Sequence, residues 1–242
     1  MKQTLKKLFP FLVPLYNWYL GKRRKLDKKK RLDSYKGKAI DTVFNDIYEK
    51  GAWGSNESVS GPGSELKHTE MLRKELPGFL KKHNITTFLD APCGDFNWMK
   101  EIELPVEKYI GGDIVEELIK NNDQSYTNEQ CSFQVIDLTS TPLPDVDMIF
   151  CRDCLVHLSF EMIQKVFANL RASNITYLMT TTFPGRDKNV DIVTGAWRPL
   201  NFQSAPFSFP EPIDEIKEFS MEEGGKFIEK TMALWRIKDL PF

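Results

Sequence analysis

The chain has 242 residues, enough for one α/β domain with a sizeable core and some decoration. At 41% hydrophobic and 28% charged it has an ordinary soluble composition, and its four cysteines lack the density and spacing of a secreted disulfide scaffold, which points to a reducing compartment. The net charge of -1 conceals a split: residues 1–38 carry 13 Lys/Arg against 2 Asp/Glu, a net of +11, and the remainder carries 20 against 32, a net of -12.

The basic arm opens with an apolar, aromatic run over residues 8–20, followed by Lys22-Arg23-Arg24-Lys25 and Lys28-Lys29-Lys30-Arg31. The run is shorter than the roughly 20 apolar residues a membrane-spanning helix needs. Pro10 and Pro14 are expected to interrupt helical hydrogen bonding. The charge pattern also fits a signal peptide, but no small-residue cleavage site follows. Three readings stand: residues 8–31 attach to an anionic membrane surface with Trp18 and Tyr19 at headgroup level, a helix packs on the domain with a solvated basic face, or the arm binds nucleic acid, the least favoured. A cytoplasmic location, peripheral at the membrane on the first reading, is expected.

Residues 39–50 have helical periodicity, with Ile40, Val43, Phe44 and Ile47 on one face. The stretch over residues 51–64 is rich in glycine and serine but carries Trp53, Glu57 and Ser60, so it is no simple linker. Ser64 is expected to cap a helix that runs to about Glu75, with Pro77 starting a kink or a new turn.

The segment from Phe88 to Trp98 reads as an apolar strand ending on Asp90, then a tight turn at Gly94; a second strand ends on Asp113. Two such strand ends about twenty residues apart suit a doubly wound sheet holding a nucleoside-containing cofactor. The glycine admits the ligand to the backbone, and the second acid accepts hydrogen bonds from ribose hydroxyls. A pyrophosphate would want G-x-G-x-x-G; here only Gly94 is present, Phe96 stands two residues on, and Asp90 would repel phosphate. An acid at this place suits a ligand bearing an ammonium and a sulfonium, which is S-adenosylmethionine.

The residues Asp90-Ala91-Pro92-Cys93-Gly94 resemble the first motif of the class I S-adenosylmethionine-dependent methyltransferases. Three further strand ends follow in family order: Asp113; Gln134 to Leu138; and Asp147 to Asp153. The resemblance covers residues 84–183, departs from the family at Phe96, and implies a Rossmann-like, seven-stranded, mostly parallel sheet with an antiparallel C-terminal hairpin. It implies a cofactor site of Asp90, Cys93, Gly94, Asp113, Ile114, Asp137, Leu138 and Arg152, with Asp137 on the adenine amino group and the fourth strand facing the methyl group. On this reading residues 1–38 are the arm and residues 39–242 the domain. Within the domain, 39–83 supply helices and a lid loop, 84–183 the cofactor-binding core, and 184–242 a substrate loop and the last strands.

After the fourth strand, residues 160–172 read as a helix and 175–183 as the fifth strand. A long irregular stretch over residues 184–212 contains Trp197, Arg198 and Asn201, which suit a polar organic acceptor such as a sugar; a final strand lies within 227–237 after a Glu223-Gly224-Gly225-Lys226 turn. A hydroxyl acceptor needs a general base, and His157 is the histidine near the end of the fourth strand. If a helical turn follows Cys151, Asp153 and His157 are i and i+4 on one face, and Asp153 orients the imidazole. His68 and His83 look structural, Cys151-x-x-Cys154 lacks two further ligands for zinc, and no metal is expected.

The reading that follows is an O-methyltransferase, loosely resembling those that modify glycans or lipid-linked saccharides, with Trp53, Glu57, Ser60, Trp197, Arg198 and Asn201 as weaker acceptor-site candidates. The alternatives are a small-molecule N- or O-methyltransferase and a non-catalytic membrane or nucleic-acid adaptor. Oligomeric state does not follow from the sequence.

Overall fold

The computed structural model describes residues 13–221 and 224–242, and the chain divides into two units, Met1–Lys38 and Ala39–Phe242. Residues 8–12 of the apolar run and Glu223 of the expected turn lie outside the described residues.

Among the described residues of the first unit lies the helix α1 (Val13–Tyr35). Pro14 falls in its first described turn and does not break it. No described helix is long and apolar enough to cross a membrane.

The second unit begins with α2 (Ile40–Glu49), which buries Val43 and Ile47. Two 3₁₀ turns, Pro62–Ser64 and Leu66–His68, lead into α3 (Glu70–Lys82). The expected cap is corrected here: Ser64 lies inside the first 3₁₀ turn, and Thr69 stands at the N-terminus of α3 without a side-chain capping bond. The helix also runs through Pro77 to Lys82 and does not stop near Glu75. An interior proline costs about 3 kcal/mol. Burial of Leu72, Leu76, Phe79 and Leu80 on both sides of it, at about 1.5–3 kcal/mol each, outweighs that cost.

The sheet follows: β1 (Thr87–Asp90), β2 (Lys108–Asp113), α4 (Glu116–Tyr126), β3 (Cys131–Val135), β4 (Met148–Cys151), α5 (Phe160–Ala172), β5 (Tyr177–Thr182), β6 (Asp214–Lys217) and β7 (Thr231–Arg236). Strand order is β3-β2-β1-β4-β5-β7-β6, with β7 antiparallel to both of its neighbours and the other pairs parallel. This is the expected seven-stranded, mostly parallel sheet with an antiparallel C-terminal pair. β3 ends at Val135, so Asp137 lies beyond the strand and not at its last position.

The central strands are buried on both faces, and their alternation divides the core in two. Leu89, Ile110, Ile149, Leu178 and Trp235 face α5, with its Ile163, Val166, Phe167 and Leu170. Phe88, Tyr109, Phe133, Phe150 and Met179 face the other way, with Leu72, Leu76 and Leu80 of α3 and Ile119 of α4. Chain order runs outward from β1 to β3 in one direction and from β4 to β5 in the other, with β7 inserted before β6. The C-terminal ends of β1, β2 and β4 therefore meet at the topological switch point, where open α/β sheets bind ligands.

Candidate functional site

Asp90 and Asp113 end neighbouring strands and are buried, 3% and 7% exposed. The Tyr109 hydroxyl donates to Asp90 Oδ2 at 2.7 Å. Burial pushes the Asp90 carboxyl up to about 7, against the pull of Tyr109 and Arg152. Asp113 accepts from the Gly94 N–H at 3.1 Å and the Val115 N–H at 3.0 Å. Burial still raises it to about 6, although the Val115, Gly94 and Ile114 amides favour the anion.

The turn between them is pinned from several sides. Cys93 N–H donates to Gly112 O at 2.8 Å, and the buried Asn122 side chain of α4 donates to Gly94 O at 2.8 Å. Cys93 is buried and its thiol is pushed up by burial, which makes it an inert packing group. Gly94 has φ of 55°, and a Cβ there would stand 2.1 Å from Ser60 Oγ, so the position needs glycine twice over. Phe96 adopts φ of 57°, a left-handed conformation that costs a side-chain-bearing residue about 1–2 kcal/mol. Its buried ring packs on Tyr109, Tyr126 and Phe133 at 5.2–5.3 Å between centroids, which offsets the strain. The family departure at Phe96 thus keeps a glycine-like backbone path and adds a core side chain.

Residues 51–64 lie against this turn. Asp95 accepts from Ser58 Oγ at 2.9 Å, the Val59 N–H at 2.9 Å and Ser60 Oγ at 3.2 Å, while Asp95 N–H donates to Ser60 Oγ at 3.1 Å. Glu57 Oε1 accepts from the Leu66 N–H and from Asn97 Nδ2. Glu57 and Ser60 therefore serve to fasten this strap to the turn. Trp53, on the same strap, lies 5.5 Å from the His157 ring, with Phe44 of α2 behind it.

Ile114 is half-buried directly after Asp113, and Leu138 is buried after Asp137. The Asp137 carboxylate accepts from the Thr139 N–H and hydroxyl and from Ser140 Oγ, and so shapes its own turn.

Beyond β4 the expected geometry needs correction. Asp153 and His157 do not share a helical face: Asp153 has φ of 51°, and only a 3₁₀ turn, Leu155–His157, follows. Asp153 accepts from Lys230 Nζ at 2.6 Å, lies 3.4 Å from Arg152 Nη1, and is held at its backbone by Thr181 Oγ1. Burial opposes its ionisation, but Lys230 and Arg152 prevail and hold the carboxyl at about 2. His157 is oriented instead by the Ala196 carbonyl, 2.7 Å from Nδ1. That contact assigns the ring proton to Nδ1 and leaves Nε2 as the acceptor. Burial lowers the His157 pKa, so the neutral form dominates at pH 7.

Arg152 is buried, donating to Glu218 Oε2 at 2.6 Å and Gly63 O at 3.0 Å, so its side chain secures the strap and the last strands. Arg198 and Asn201 are likewise structural. Arg198 donates to Leu155 O and Leu158 O, and Asn201 bonds Arg186 O and the Gln203 N–H. Trp197 remains 38% exposed, edge-on to Phe227 and Phe183. His83 bonds Asp214 at 2.7 Å. Cys151 and Cys154 are free thiols, and no group of metal-ligating side chains is present among the described residues.

Sequence reasoning missed Tyr109, Asn122, Asp95, Glu218 and Lys230. Asp95 was discoverable, being an acid directly after the turn glycine; the others act across long sequence separations and carry no local signal.

Buried Asp90 and Asp113, with apolar Ile114 and Leu138 beside them, fit a cationic adenosyl ligand, while the room that Gly94 leaves is taken by Ser60. Residues 88–173 match the family model of a methyltransferase domain. A search of curated proteins found no match. Among solved structures, the chain is similar to an S-adenosylmethionine-dependent methyltransferase of Leishmania major (15% identity, 78% of this chain and 83% of that one, TM-score 0.56). It is also similar to the 1,6-didemethyltoxoflavin-N1-methyltransferase of Burkholderia thailandensis (14% identity, 81% and 87%, TM-score 0.54). It covers 66% of the methyltransferase domain of bacterial CtHen1, about two thirds of its length (15% identity, 48% of this chain, TM-score 0.40).

The strand order and the domain match together define a class I methyltransferase fold. Within that fold the methyltransferase-domain match falls on residues 88–173, the span that carries the strand-end acids Asp90 and Asp113.

Proposed function

We propose that the protein methylates a hydroxyl group of a sugar or glycan, with His157 as general base. The observation that carries this reading is His157 itself: neutral, with Nδ1 held by Ala196 and Nε2 available, beside Trp53 and beyond the end of β4. Such an imidazole accepts the proton that an alcohol must lose, whereas a neutral amine acceptor has a nucleophilic lone pair without a base. Trp53 and the partly exposed Trp197 offer ring faces of the kind saccharides pack against. Asp153, held as an anion by Lys230 and Arg152, favours positive charge nearby and steadies the imidazolium that forms.

Asp90, Gly94, Asp113, Ile114 and Leu138 would hold the cofactor, and Asp113 would accept from ribose hydroxyls. When bound, S-adenosylmethionine supplies a methyl group activated by its sulfonium. The chain's own task is to orient the acceptor, exclude water and take the proton.

The test begins with calorimetric titration of S-adenosylhomocysteine into the wild type and Asp113→Ala, followed by a screen of saccharide, other hydroxyl and amine acceptors. One-site binding lost in the variant, and turnover of a hydroxyl acceptor that falls about 10²-fold or more in His157→Ala with unchanged cofactor affinity, are expected. Turnover of amines alone, or a silent His157→Ala, overturns the proposal.

A further inference from the structure

We propose that α1 seats the protein end-on in an anionic lipid surface, its aromatic N-terminal turns at the interface and its basic turns among the headgroups. The helix separates its chemistry along its axis and not across its faces. Residues 13–20 supply Tyr16, Trp18 and Tyr19, which are 45%, 57% and 54% exposed. The basic residues all fall between 22 and 31, and at 100° per residue they surround the helix. Among the described residues of 13–30 no side chain is buried; burial begins only at the last turns, where Arg31 and Leu32 are half-buried and Tyr35 is buried. In proteins most helical stability comes from packing of apolar side chains, so three exposed aromatic rings on this helix call for a partner.

The lengths match a headgroup layer. Residues 22–31 rise about 14 Å and residues 13–20 about 11 Å, at about 1.5 Å per residue. That reaches the boundary of a hydrocarbon core about 30 Å thick without crossing it. Lys22 Nζ stands 4.1 Å over the Trp18 ring, at the junction of the two zones. Acids are few and partly matched within the helix, with Arg23 3.9 Å from Asp27. The net of -12 on the rest of the chain is repelled by an anionic surface, so the arm alone is drawn to it. A nucleic acid would answer the charge, but it makes no use of the apolar run that the sequence extends upstream to Leu8.

The full chain is sedimented with phosphatidylcholine vesicles, with and without phosphatidylserine, at low and high salt. Trp18 depth is read by quenching from brominated acyl chains. Binding to the anionic vesicles is expected, with about a five-fold loss for each basic residue replaced in Lys28→Gln, Lys29→Gln and Lys30→Gln. Quenching should vanish in Trp18→Phe, a variant whose unchanged melting curve shows it is folded. The readout involves no cofactor, so it stands or falls apart from methyl transfer. Equal sedimentation with both vesicle types overturns the proposal, as does duplex DNA that strips the protein from vesicles while Trp18 remains unquenched.

Discussion

Asp90 shows how a single buried carboxyl can be unfavourable for the fold. Its folded pKa is raised by burial to about 7, while the unfolded chain releases the proton near the ordinary 3.8. A carboxyl shifted upward contributes its stability below the unfolded value and loses it as pH rises through the folded value. Ligand-free protein is therefore penalised at Asp90 above pH 7, by up to about 4 kcal/mol. Asp90→Asn keeps an acceptor for the Tyr109 hydroxyl and removes the charge. It should melt higher than wild type at pH 8, with the difference shrinking toward pH 4, and should bind S-adenosylmethionine more weakly; calorimetry checks both. His157 behaves oppositely. Its pKa is lowered by burial, so the acid limb of kcat against pH should fall below the ordinary histidine value of 6.5. A limb at or above 6.5 would remove His157 from the role of base.

Among the elements, the strap over residues 51–64 links the two halves of the site. Asp95 fastens it to the cofactor turn through Ser58, Val59 and Ser60, and the strap carries Trp53 to His157. Hydrogen bonds to a charged acceptor contribute about 1.5–3 kcal/mol each at most. Asp95→Ala should speed amide exchange over residues 55–66 and raise acceptor KM more than it lowers kcat. Exchange equal to wild type would show the strap to be held by something else. The strap's elements also show what the sequence made legible. The helix over 160–172 and the two strand-end acids followed from periodicity and spacing, which are local, whereas the mostly parallel sheet with its antiparallel C-terminal pair followed from the family resemblance. β6 had no such signature: its four residues, Asp214–Lys217, find their place only by pairing with β7. Pro77 misled because the propensity rule weighs a residue before the burial around it is known. Arg198 and Asn201 looked like ligand-binding groups because polar residues among aromatics usually are. The carbonyls they satisfy belong to loops whose path the sequence does not reveal.

For the whole molecule, the division of charge coincides with a division of structure. Every residue of the two large core clusters lies between Ile40 and Phe242, and the cofactor-binding candidates all fall within that span. The two large clusters that offset chain entropy thus draw on residues 40–242, and from the arm the burial of Tyr35 is added. A chain of residues 39–242 should melt cooperatively at the wild-type temperature. It should bind S-adenosylhomocysteine within about two-fold of the full chain, far less than the tenfold that 1.4 kcal/mol produces. Vesicle association should disappear, because the net charge of -12 that remains is repelled by anionic lipid. Differential scanning calorimetry, ligand titration and sedimentation of the two chains side by side measure this directly. A lower melting temperature in the shorter chain would mean that the basic helix stabilises the domain, and the arm would then be a part of the fold and not a separate attachment device.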